Sequence, residues 1–182
     1  MKMRTLHFKL LLALALTSCN TNDKNIERSE VKSLIPLFRE AKEYQQYLRV
    51  GFFTISNVNR IQGRADNVID GMHILRNKVT SMRLVSKNAK QLQDSLAFLC
   101  DLAGEAGIFL RKTTQAQNQF YDRWGTLWMY GEGGQRVQKE IKENSRKWIT
   151  RNKQCDCLAT RLDSTFTFFL PDSFHILINL NK

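Results

Sequence analysis

Between residues 58 and 82 an apolar side chain recurs every seven positions, in two interleaved series. Val58, Ala65, Met72 and Val79 form the first; Ile61, Val68, Leu75 and Met82 form the second, three residues further on. Alternating steps of three and four fit the turn of an α-helix and exclude the two-residue period of a strand. Held for three heptads, the two series form an a/d seam, a narrow apolar edge that is stable only against other helices. Arg60, Arg64, Asp66, Asp70, Arg76 and Arg83 all fall off the seam. The pattern predicts a helix over about residues 55–86, about 45 Å long at 1.5 Å per residue. Gly63 and Gly71 each weaken it by about 1 kcal/mol, and both lie off the seam.

Three more segments carry the same period. Val31, Leu34, Phe38, Ala41, Gln45 and Leu48 mark one face of a first helix, with Ser33 as its cap, Pro36 in its first turn and Gly51 beyond its end. After KNAK, residues Leu92, Leu96, Leu99, Ala103, Ala106 and Leu110 set the phase of a third, which continues through TTQAQNQ towards Trp124 and stops at Gly125. Its LAGEAG stretch offers small residues where another backbone can come close. The fourth helix carries Val137, Ile141, Ser145, Trp148, Asn152 and Cys155 on one face, and seven lysines and arginines crowd the others. Between the third and fourth lies GTLWMYGEGGQ, residues 125–135, where four glycines discourage regular structure. The tail changes period: Phe166, Phe168 and Leu170, then Phe174, Ile176, Ile178 and Leu180, alternate as strands do. The fold expected is mainly α, a bundle of about four long helices with a small C-terminal β element over residues 164–181.

The start of the chain has its own signature. Lys2, Arg4 and Lys9 precede the apolar run Leu10 to Leu16, and Leu16-Thr17-Ser18-Cys19 follows. Seven apolar residues are too few to span a hydrocarbon core about 30 Å thick, so the run reads as a cleavable secretory signal. The LTSC stretch resembles the lipobox of bacterial lipoproteins. That resemblance implies cleavage before Cys19 and acylation of Cys19 as a membrane anchor; two or more acyl chains hold stably where one does not. It divides the chain into a signal peptide (1–18), a polar tether (19–28) and a single helical domain (29–182). Asn20 stands where an aspartate marks retention in the inner membrane in many Gram-negative lipoproteins. NTNDKNIE also lacks a dense acidic run, so the resemblance implies an outer-membrane anchor with the body facing the periplasm.

The chain carries a formal charge of +11. Cleavage before Cys19 would remove three of the 28 basic residues and none of the 17 acidic ones, leaving +8 on 164 residues, a length suited to one domain. Outside the cytoplasm such a charge suits an anionic head group, an envelope polymer or an acidic protein rather than nucleic acid, or it is simply a solvated surface. Beyond Cys19 only Cys100, Cys155 and Cys157 remain, too few for a disulfide scaffold. A bridge between Cys100 and Cys155 would close a loop of about 55 residues and stabilise by about 4 kcal/mol.

No catalytic pattern stands out. The sequence has no HExxH, G-x-S-x-G, P-loop or CxxC, and His73 and His175 stand alone. Asp101 with Glu105, and Asp122 with Glu132, are the carboxylate pairs that glycan hydrolysis would require, but no substrate-binding pattern accompanies them. No enzyme activity, metal site or cofactor is expected. Trp124, Trp128, Met129 and Tyr130 are the candidate partner-binding residues, because large rigid side chains on a glycine-rich loop resemble interface hot spots; the alternative is that they cap the bundle. The expected role is a non-catalytic scaffold or accessory subunit of a multiprotein envelope assembly, such as a secretion or conjugation apparatus. An immunity or exclusion lipoprotein that binds an incoming protein is the alternative.

Overall fold

A computed structural model describes residues 3–51 and 53–170, with side chains from Asp23 onward. The described chain forms four α-helices: α1 (Met3–Gln46), α2 (Val58–Ser81), α3 (Lys87–Tyr121) and α4 (Glu132–Phe169), with a 3-10 turn at Leu127–Tyr130 before α4. Cross-links between the helices give their directions. Glu40 meets Lys78 while Glu30 meets Val85, so α1 and α2 are antiparallel. Arg76 pairs with Asp101 and Asp66 with Arg111, so α2 and α3 are antiparallel too. Lys42 with Asp163 and Arg49 with Asp156 set α4 against α1 in the same sense. The result is an up-down-up-down bundle in which α3 touches every other helix.

The apolar series become the core. Val58, Ile61, Ala65, Val68, Met72, Leu75 and Val79 on α2 are all buried, as are Val31, Leu34, Phe38, Ala41 and Gln45 on α1 and Leu48 in the turn after it. Leu92, Leu96, Leu99, Ala103, Ala106 and Leu110 fill the middle from α3. Two glycines mark close crossings. A methyl group on Gly71 would lie 2.3 Å from the Tyr44 ring, and one on Gly107 would lie 3.3 Å from the Ala65 carbonyl oxygen. Gly107 thus serves the close approach expected of LAGEAG, whereas Gly104 faces open space.

The α2–α3 connection is held by side chains from two helices. Both Glu30 carboxylate oxygens accept backbone N–H bonds, from Val85 at 2.6 Å and Ser86 at 2.9 Å. Gln93 on α3 donates to the carbonyls of Val79 and Met82 at the end of α2. Ser86 caps α3 by accepting from the Ala89 N–H. These contacts satisfy groups that a helix end otherwise leaves unpaired.

Three expectations are corrected. Residues 164–170 are the last turns of α4 rather than a strand, while residues 171–181 lie outside the described residues. Phe166 follows Cys155, Ala159 and Leu162 in helical phase and stacks on Phe38, ring centroids 5.1 Å apart. The Thr165 and Thr167 hydroxyls donate to carbonyls one turn back, at 2.8 Å each, so the β-preferring residues are accommodated within the helix. Residues 20–28 continue α1 instead of forming an irregular tether. Accordingly, Ser33 does not cap α1: its hydroxyl donates to the Glu30 carbonyl, and Pro36 lies inside the helix. Finally, α2 closes at Ser81, short of 86, because Met82 is extended.

Candidate functional site

The glycine-rich stretch makes an exposed aromatic tip at the end of the α3–α4 hairpin. Past Tyr121 the backbone turns through bonds from Arg123 to the Phe120 carbonyl and from Trp124 to that of Tyr121. Gly125 then takes φ +80°, a conformation that side-chain-bearing residues rarely adopt, and this reverses the chain. Its N–H lies 3.0 Å from the Met129 sulfur. Thr126 leads into the 3-10 turn, its hydroxyl donating to the Arg123 carbonyl at 2.8 Å.

The turn then packs on the first residues of α4, which explains the glycines there. A methyl group on Gly133 would fall 2.3 Å from the Trp128 indole nitrogen, and one on Gly134 would fall 2.3 Å from the Met129 carbonyl oxygen. The Arg123 guanidinium covers the Trp128 ring at 4.6 Å, a cation–π contact. Trp124 leans edge-on against Phe120, centroids 5.8 Å apart. Trp128 and Met129 are therefore partly buried supports of the turn, whereas Trp124, at 60 % exposure, and Tyr130, at 77 %, face outward. Leu127, at 90 % exposure, joins them. The sequence reading missed Leu127, although it sits within the same GTLWMYG stretch and shares its glycine punctuation.

Elsewhere the expected site residues separate. Asp101 pairs with Arg76 at 2.6 Å and Glu105 with Arg151 at 2.7 Å, so each carboxylate is matched by its own arginine. Asp122 and Glu132 are exposed at either side of the tip. His73 is exposed with Asn77 at 3.3 Å, and His175 lies outside the described residues. Among the described residues no group of three His, Cys, Asp or Glu side chains is placed to hold a metal ion. Cys100 and Cys155 are both buried, but as separate free thiols rather than a bridge. The charges of Asp101, Arg76 and Glu40 act on Cys100, and those of Asp156, Arg151 and Glu105 on Cys155. Burial pushes both thiols up to about 12.

Two further surface features accompany the tip. A groove of about 460 Å³ between α3 and α4 is lined by Phe98, Leu102 and Leu158 together with Arg151, Lys153 and Arg161. Lys139, Lys142, Arg146 and Lys153 are exposed on α4, and none of them joins an ion pair found among the described residues. No helix among the described residues is long and apolar enough to cross a membrane. No protein-family model matches the chain, and neither a curated protein nor a solved structure matches it.

Proposed function

We propose that the chain is a lipid-anchored protein of the bacterial cell envelope, a non-catalytic accessory subunit that meets its protein partner through the aromatic tip. The anchor half rests on the basic start, the apolar run and LTSC at residues 16–19. The observation that carries the binding half is the placement of Trp124, Leu127 and Tyr130 at the far end of the bundle. Glu27 bonds to Asn88 in the first turn of α3, which ends next to the tip, and Cys19 precedes Glu27 by two turns of α1. At 1.5 Å per residue, anchor and tip are about 60 Å apart. A surface that far from the acyl chains is suited to a protein held away from the same bilayer, and exposed rings on a stiff support are the usual material of binding hot spots.

Two variants of the full chain test the two halves. Cys19→Ser should leave the protein soluble or uncleaved; complete lipid labelling of that variant would overturn the anchor. Trp124→Ala combined with Leu127→Ala and Tyr130→Ala should keep the melting temperature and lose the proteins that co-purify from solubilised membranes. Unchanged co-purification would overturn the role of the tip.

A further inference from the structure

We propose that the opposite end of the bundle, beside Cys19, is a docking face for an anionic bilayer. The inference rests on the lipid-anchor reading and deepens it: the acyl chains would hold the protein at the membrane, and this face would stand it upright. Three elements meet there. Glu30 ties α1 to Val85 and Ser86, Glu27 ties it to Asn88, and Asn88 shares a concavity with Phe169 at the end of α4. Each element leaves one large apolar side chain in water: Ile26 at 43 % exposure, Val85 at 78 % and Phe168 at 80 %.

Around these residues basic side chains outnumber acidic ones. Lys24, Arg28, Arg83, Lys87 and Lys90 are exposed, and none joins an ion pair found among the described residues. Glu27 and Glu30 bond to Asn88 and to the 85–86 backbone, none of which carries a charge to offset theirs; with Asp23 and, two turns up α3, Asp94, four carboxylates stand against the five basic groups. Exposed apolar side chains at a bundle end with an excess of lysine and arginine match the two layers of an anionic interface, acyl boundary and head group.

The test uses the full chain with vesicles of brominated phosphatidylcholine, with or without phosphatidylglycerol, because bromine quenches only tryptophan within the bilayer. Val85→Trp should be quenched more than the wild type on anionic vesicles, and Leu127→Trp, at the tip, should not. Adding Arg83→Glu and Lys87→Glu should abolish the extra quenching. Adding Lys139→Glu and Lys142→Glu on α4, the same change in net charge, should leave it. Flotation and the mass of the Cys19 peptide separate the two readings. A floating, acylated chain whose Val85→Trp is quenched no more than wild type overturns the docking face and keeps the anchor. Extra quenching on a chain with unmodified Cys19 keeps the face and removes the anchor. Quenching of Leu127→Trp, equal loss with either charge reversal, or failure to float overturns the face.

Discussion

Glu30 is one carboxylate on which the joint of three helices depends. Partial burial pushes its carboxyl up, but the N–H groups of Val85 and Ser86, the Ser86 side chain and the charge of Lys90 outweigh that and hold it below the ordinary glutamate value. A folded-state value that is depressed contributes stability above the ordinary value and loses it as pH falls through the folded one. Glu30→Gln should therefore cost about 1 kcal/mol at neutral pH, a modest figure because the site is close to solvent. Denaturant titrations should show this gap close below the glutamate range; a gap of equal size in acid would mean that the charge plays no part. The cysteines are a second residue-scale case. Pushed up to about 12 by burial, Cys100 and Cys155 carry almost no thiolate at neutral pH, whereas Cys157 is exposed. Of these three, a thiol reagent should modify Cys157 in the folded protein and the other two only on unfolding. Spacing alone could not exclude the Cys100–Cys155 bridge, because sequence distance says nothing about which neighbours a buried thiol faces.

At the scale of the element, α4 shows where pattern reading succeeds and where it fails. Phe166, Phe168 and Leu170 satisfy a two-residue period, but Phe166 also satisfies the helical one, and only the Phe38 ring across the core decides between them. The two readings differ measurably. On a strand, residues 166 and 168 share a face and would cost alike when truncated; on α4 one is buried and the other is 80 % exposed. Phe166→Ala should cost about 3–5 kcal/mol and Phe168→Ala less than about 0.5 kcal/mol in chemical denaturation. Equal costs would restore the strand. Glycines make the same point within α2. Gly63 meets nothing, so Gly63→Ala should stabilise by about 0.5–1 kcal/mol through helix propensity alone. Gly71 underlies the Tyr44 ring, so Gly71→Ala should destabilise, by about 1 kcal/mol or more as the ring is displaced. If both raise the melting temperature, Tyr44 does not pack there. Long seams were legible because a heptad repeat states its own geometry, and every seam position named from Val58 to Val79 is buried. The start of α1 was not, because residues 20–28 have no apolar period and Pro36 imitates a beginning.

At the scale of the molecule, one apolar cluster joins all four helices, from Val31 on α1 through Leu75 and Leu99 to Phe166 on α4. A domain built around one such cluster melts as a unit, and its most protected amides exchange only on global opening. The tip stands apart from that cluster. No residue of Leu127–Tyr130 is buried, and most of its hydrogen bonds reach no further than four residues along the chain. A segment held by short-range bonds outside the core opens by itself, at a cost independent of the rest. Leu75→Ala separates the two behaviours, because Leu75 is fully buried in the seam and its truncation should cost about 2–5 kcal/mol. Native-state hydrogen exchange should show amides of residues 96–110 losing protection by that full amount, while those of 122–131 exchange as fast as before. If the tip amides lost protection in step with the core, the tip would open only with the whole bundle. The support for an adaptable binding surface on a rigid strut would then be gone, and the rings would be read as the lid of the bundle instead.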